Sequence, residues 1–401
     1  ITVRDWSSDV CSSDLLAALH DRQGGTERHV HELAAALREH VQFLVMRPLP
    51  GRRVSLRLPD PDEGFELVFS LQNEYLLLLD VLRQFGVCHI HFHHLLGYVE
   101  EVRRLPLRLG VNYDFTAHDF YLICPEITLT GPDGRYCGED GPDGSDPTAL
   151  TAWRQGHQSF INQARYLIGP GRDVLQRLAR YMPGAALRHV PHTDINPDQP
   201  LPAPHPESLL EDRPLKVAVI GALSAIKGAD VLEDVAAAAR KSGAPVEFHL
   251  IGYGYRTLRA RPRTHLTVYG RYEEADLPAL LDWLAPDLVW FPAQWPETYS
   301  YTLSACLQGG WPVVAPDLGA FAERLQGRGW TWVQPWDQTP AQWLAFFEDI
   351  RQRHWLTGQA PQPCAAAQPE EATHHIPPAP ERPLDWRSEE HTSELQSRTV
   401  I

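Results

Sequence analysis

Glu297 stands just before a helix-forming run in FPAQWPETYSYTLSACLQGGWPVVAP (Phe291 to Pro316). That stretch reads as a buried strand (Leu288 to Pro292), an acidic turn, a helix, a Gly309-Gly310 stop and a second apolar strand (Val313 to Ala315). Ligands of open α/β sheets bind outside the carboxyl ends of the strands. A helix N-terminus at that edge offers unpaired N–H groups and partial positive charge to a phosphate. The plainer alternative for Glu297 is a solvated helix-start acid. Lys227, in GALSAIKG, falls between a strand and a helix, where it is either a ligand cation or an ordinary exposed lysine. His118, in TAHDFYLICP, ends an apolar strand, and Asp119 could fix its tautomer; a His-Asp turn without a ligand is the alternative. Gly24 and Gly25 precede a helix, which suits close backbone approach to a ligand or a tight turn. His89, His91 and His93 alternate, so they share one face of a strand, and His94 follows. Cys124 and Cys137 bracket a Gly/Asp loop that a disulfide or a metal could clip, although two thiols without a second pair give weak support for zinc.

The elements that must position these residues alternate between strand and helix. After Gly24-Gly25, Val30, Leu33, Ala34 and Leu37 mark an amphipathic helix. Strands are expected over 41–46, 87–92, 111–117 and 166–168. Helices are expected over 73–85, 98–109 and 172–181. The Gly/Asp/Pro-rich stretch Pro125 to Pro147 reads as a long loop. A linker over 196–214 leads to LKVAVIGAL (Leu215 to Leu223), a helix from Gly228 to Ser242, strands in VEFHLIG, LTVYG, LVWFP and PVVAP, and a helix from Gln342 to His354. Alternation of this kind implies parallel βα units. Two domains follow, residues 16–195 and 215–356, with a Pro/Ala-rich disordered tail over 357–386.

The 401 residues exceed one ordinary core. A formal charge of -15 argues against nucleic-acid binding driven by bulk charge. No apolar run approaches the ~20 residues of a membrane span, no signal peptide is evident, and six cysteines without a dense framework suit a reducing cytosol. The ends look foreign. Asp5 to Leu15 (DWSSDVCSSDL) and Arg387 to Ser397 (RSEEHTSELQS) can be encoded by complementary strands of one DNA string resembling a sequencing-library adapter. Residues 1–15 and 387–401 are therefore expected to be artefactual, and most of a natural first strand before Gly24 is expected to be missing.

Taken together, Glu297 to Pro316, Leu215 to Gly228 and Thr116 to Pro125 make the chain resemble family 4 glycosyltransferases, retaining enzymes of the GT-B fold, over nearly all of Leu16 to Trp355. The resemblance implies an α/β architecture of two Rossmann-like domains facing across a cleft. A nucleotide-diphosphate sugar would sit mainly on the C-terminal domain and the acceptor on the N-terminal one. Glu297 matches the first glutamate of the family's E-x7-E signature and would accept from donor-sugar hydroxyls. Thr298, Tyr299, Ser300 and Tyr301 would open the helix whose amides meet the diphosphate. Lys227 would neutralise the leaving group without a metal. His118 would contact the donor sugar, and Gly24 and Gly25 would form the Gly-rich donor loop. Two departures stand out: Ala305 replaces the second signature glutamate, and Ala222 an expected arginine. Because the family needs no metal, the alternating histidines are expected to form a strand end with some exposed imidazoles.

The resulting expectation is a cytoplasmic bacterial hexosyltransferase-like enzyme that needs no cofactor. It would transfer sugar to a glycan or lipid-linked glycan in surface-polysaccharide synthesis, with room for peripheral membrane contact. A weak or inactive nucleotide- or glycan-binding module, or a sugar-nucleotide epimerase or hydrolase, would be the rival readings.

Overall fold

The computed structural model describes residues 14–20, 24–60, 64–142, 144–196 and 198–364. Strands β1 (Asp14–Ala18), β2 (Gln42–Leu49), β3 (Arg53–Arg57), β4 (Glu66–Ser70), β5 (Val87–Phe92), β6 (Asn112–Thr116), β7 (Leu167–Gly169) and β8 (Leu187–His189) build the first sheet. Its order is β4-β3-β2-β1-β5-β6-β7-β8, parallel except for the β2–β3–β4 edge. Strands β9 (Leu215–Leu223), β10 (Val246–Gly254), β11 (Leu266–Val268), β12 (Leu288–Trp290), β13 (Val313–Pro316) and β14 (Thr331–Gln334) build a second, all-parallel sheet in the order β11-β10-β9-β12-β13-β14.

Parallel sheets are covered on both faces, so their strands are apolar throughout. Successive side chains leave opposite faces of a strand, and the two cores of each sheet divide its strands accordingly. Leu16 and Ala18 of β1 join one core, while Leu15 and Ala17 join the other. In β9, Leu215, Val217 and Val219 face one side, and Ala218 and Ile220 the other. The helix Pro340–Ile350 starts at a capping box of Thr339 and Gln342, with proline in its first turn.

Several elements differ from the sequence expectation. A five-residue strand, β1, pairs with both β2 and β5 where most of a first strand was expected to be missing, and Asp14 and Leu15 belong to it. Its apolar run LLAA is all that a strand buried on both faces requires. The expected helix 98–109 is two short helices, Glu100–Arg103 and Leu105–Leu109, divided at Arg104 with Pro106 just inside the second. The hairpin β3–β4 and the helix Pro147–Ile161 are additional. Residues 357–364 are held rather than loose: Cys364 accepts from Gly327 N at 2.9 Å and donates to Arg328 O at 3.1 Å. The rest of the expected tail, and residues 1–13 and 387–401, lie outside the described residues. Between the sheets, residues 198–214 form neither helix nor strand, yet Leu209 donates to Trp355 O at 2.9 Å and Arg351 binds the Glu211 and Arg213 carbonyls. No described helix is long and apolar enough to cross a membrane.

Candidate active site between the two sheets

Glu297 lies on the loop that leaves β12, at the carboxyl edge of the second sheet. Its carboxylate Oε1 is 3.8 Å from Lys227 Nζ, on the loop that leaves β9. Glu297 is buried, whereas the Lys227 side chain is 45% exposed, so the pair opens to solvent on the lysine side. Backbone contacts set this approach. Gln294 N donates to Ile226 O at 2.7 Å, and Ala320 N to Glu297 O at 2.8 Å. Gly228 (φ +82°) lies so close to the strand exit that a Cβ there would come within 2.0 Å of Pro292 O; at Gly319 (φ +61°) one would come within 2.3 Å of Glu297 O. Only glycine fits either position.

The helix after Glu297 begins later than expected. It spans Tyr301–Gln308, and Thr298, Tyr299 and Ser300 precede it in non-helical backbone, Ser300 at φ 75°, ψ 95°. Arg324, from the helix Ala320–Leu325, holds this segment by donating to Tyr299 O (2.7 Å), Ser300 O (2.8 Å) and Ser304 Oγ (2.7 Å), with its guanidinium 3.9 Å above the Tyr299 ring.

The same segment faces the first sheet. Thr298 Oγ1 donates to His118 O at 2.7 Å. The Tyr299 hydroxyl binds Asp194. The Tyr301 hydroxyl donates to Glu32 at 3.2 Å, and the Arg28 guanidinium lies 4.0 Å from its ring centroid. Gly25 opens the helix Gly25–Leu37 against that ring, a Cβ on it falling 3.6 Å from Tyr301. Gly24, at φ 145°, has open space beside it. The structure thus brings Gly25, His118, Thr298, Tyr299, Tyr301, Lys227 and Glu297 into one neighbourhood. A cavity of about 390 Å³ lies elsewhere, between the segment at Pro202 and His205 and Trp311.

Neither departure is repaired by an adjacent side chain in its own motif. Beside Ala305, Ser304 is buried under Arg324, and burial pushes the wholly enclosed Cys306 thiol up to about 12. Ala222 is exposed at the end of β9, paired with Tyr253 of β10, over whose ring lies the Arg271 guanidinium at 4.7 Å.

The alternating histidines are buried, not a partly exposed strand end. His89 pairs with Asp114 (3.0 Å), His91 with Thr116 (2.7 Å), His93 with His118 (3.1 Å) and His94 with Asp119 (2.9 Å), each with a residue 25 positions later. Asp119 therefore orients His94, not His118. Burial would raise the Asp114 carboxyl, but hydrogen bonds from His89 and Arg165 outweigh it and hold that carboxyl well below the usual range. Burial, reinforced by neighbouring imidazoles, drives His118, His93 and His192 well below the ordinary histidine value. Burial takes His29 down to about 4 despite Asp194 nearby. No disulfide joins Cys124 to Cys137, whose thiol instead meets Leu129 O at 3.3 Å.

Sequence reasoning missed Arg28, His29, Glu32, His192, Asp194 and Arg324. His29 carried a signal, since it lies four residues before Leu33 on the apolar face of the helix that follows Gly24-Gly25. Arg324 carried none, because its partners, two backbone carbonyls and the Ser304 hydroxyl, lie twenty or more residues away.

No protein-family model matches the chain, and no curated protein matches it in sequence. Its fold is that of solved glycosyltransferases. HepE from Anabaena, solved with UDP and glucose, superposes with a TM-score of 0.54 at 12% identity, over 85% of this chain and 90% of that one. Sucrose-phosphate synthase from Thermosynechococcus elongatus gives 0.55 at 13% identity, over 85% and 90%. The pneumococcal O-GlcNAc transferase GtfA, in complex with UDP and GlcNAc, gives 0.54 at 8% identity, over 87% and 93%. The chain has the two-domain α/β GT-B fold.

Proposed function

We propose that the chain is a family 4-type glycosyltransferase that moves a sugar from a nucleotide-diphosphate sugar to a hydroxyl acceptor with retention. The observation that carries this reading is the Lys227–Glu297 pair, 3.8 Å apart at the carboxyl edge of the second sheet and tied to His118 through Thr298. That edge is where open α/β sheets take ligands. Structures of similar fold that hold UDP with glucose or GlcNAc support a nucleotide-sugar donor.

In the proposed reaction Glu297 accepts hydrogen bonds from donor-sugar hydroxyls, and Lys227 with the amides opening the helix Tyr301–Gln308 neutralises the departing diphosphate. The anomeric C–O bond to phosphate breaks, the acceptor oxygen bonds to the anomeric carbon on the same face, and its proton passes to the leaving phosphate oxygen. The side chains of Thr298 and Tyr299 position the helix start against the first sheet, and the amides from Thr298 to Tyr301 face the diphosphate in this reading. Gly24 and Gly25 let the first sheet's loop approach the donor.

We place this activity at the cytoplasmic side of a bacterial membrane, on glycan or lipid-linked glycan acceptors of surface polysaccharide. Exposed Leu76, Leu77 and Leu107, with Arg104 and Arg108 alongside, favour a peripheral membrane contact there. The test offers a panel of nucleotide sugars and acceptors and measures nucleoside diphosphate release. Release that depends on acceptor and falls by orders of magnitude in Glu297→Ala is the expected result. Full activity of that folded variant would refute the assignment. A second reading, a module that binds nucleotide without turnover, is favoured by Ala305 and Ala222, and binding without release would establish it.

A further inference from the structure

We propose that His29, His93 and His118 together bind one divalent transition-metal ion of the zinc class, at the wall of the first sheet that faces the second. The three residues come from three separate elements: the helix Gly25–Leu37, the exit of β5 and the exit of β6. One nitrogen from each lies within 4.8 Å of the other two. His93 Nδ1 and His118 Nε2 are already 3.1 Å apart. Two ligands of a tetrahedral zinc at about 2.0–2.1 Å are separated by roughly 3.4 Å, so little movement would be needed.

Imidazoles are a rare choice for an apolar interior unless each nitrogen finds a partner, because an unpaired buried polar atom costs the full loss of its hydration. Here His93 is wholly buried with Nε2 lacking a protein partner, and His29 is more than nine-tenths buried with Nδ1 in the same condition. A zinc-class ion suits imidazole nitrogen and takes one from each ring, so at His93 it would bind either the unpartnered Nε2 or the Nδ1 that now meets His118. His118 is less enclosed than the other two.

Bound there, the ion would tie the helix after Gly24-Gly25 to the loops leaving β5 and β6. Its binding does not depend on the glycosyl-transfer reading, in which Lys227 neutralises the diphosphate. In that reading the ion and a sugar hydroxyl would compete for His118, so zinc would also inhibit transfer. The direct test titrates metal-free protein with Co²⁺, then Zn²⁺, and follows the visible bands of cobalt and the thermal midpoint. One ion per chain and a higher midpoint are expected. His29→Gln and His93→Gln should each weaken binding by more than the roughly 10–100-fold lost on removing a supporting residue. His31→Gln, an exposed change on the same helix, should leave binding intact. X-ray absorption of the zinc-loaded unsubstituted protein should show imidazole nitrogens as the main ligands, a readout that does not need the variants to fold. No binding, equal binding in His29→Gln and His93→Gln, or a shell without imidazole would overturn the proposal.

Discussion

The hydroxyl of Thr298 donates to the main-chain carbonyl of His118 at 2.7 Å, joining the loop that carries Glu297 directly to the strand exit of the opposite sheet. Thr298→Val keeps the shape and removes the donor, leaving that carbonyl unpaired. A lost bond of this kind costs about 1 kcal/mol. We expect a correspondingly lower stability by urea unfolding, together with a raised KM for the donor. An unchanged KM would show that this tie does not shape the site.

Lys227 is nearly half exposed and pairs with Glu297 at 3.8 Å, so its contribution to stability is small. Its proposed work lies in the transition state, where removing one charge-stabilising donor costs about 10²–10³ in kcat. Lys227→Met should therefore lower turnover by that order while the thermal midpoint stays within a degree or two.

Ala305 occupies the helix position where a second carboxylate was expected, and Ser304 and Cys306 are turned away or enclosed. Ala305→Glu supplies the missing acceptor. Nucleoside diphosphate should then bind about tenfold tighter, equivalent to ~1.4 kcal/mol, as read by calorimetry. Unaltered affinity would mean that the ribose, or whatever lies there, is held by other groups.

Ser300 holds φ 75°, outside the range a side chain favours. Ser300→Gly should stabilise the protein by about 0.5–1 kcal/mol if relief of that strain exceeds the added freedom of the unfolded chain. A decrease in the urea midpoint would show that the Ser300 Oγ contact with Thr302, 3.3 Å away, outweighs the strain.

Acid should weaken the fold through its buried imidazoles. Burial lowers the folded pKa of His29 from 6.5 to about 4, so the unfolded chain binds its proton first. The contribution is fully present above pH 6.5 and is lost as pH falls from there towards 4. The slope is about 1.4 kcal/mol per pH unit for each such histidine that remains neutral in the fold. Unfolding free energies measured at pH 7, 6 and 5 should fall progressively, and less steeply in a His29→Phe variant.

Strong local patterns were legible in the sequence. The strands Val87–Phe92 and Leu215–Leu223 and the helix Arg172–Tyr181 have the bounds that the apolar pattern predicts. The hairpin Arg53–Arg57 and Glu66–Ser70 was not legible, because an antiparallel edge alternates polar and apolar residues over only five positions. The helix Pro147–Ile161 hid in a Gly156-containing, weakly amphipathic run, although Asp146 before Pro147 is a start signal and does cap Thr148 N. At the site, the types and order of Gly25, His118, Lys227 and Glu297 were readable. The burial of the histidines was not, since each partner lies 25 residues on and only the pairing of β5 with β6 brings them together.

The position of β1 constrains how the protein is made. Though the first of the described strands in sequence, it lies between β2 and β5, with its side chains from Leu15 to Ala18 wholly or nearly buried. A growing chain can pair one edge of β1 once β2 has been synthesised, but the other edge stays open until Val87 to Phe92 emerge. During that interval an apolar strand with unmade backbone hydrogen bonds is available to other chains. Delay between those two points in synthesis should therefore lower soluble yield more than the same delay placed after Phe92.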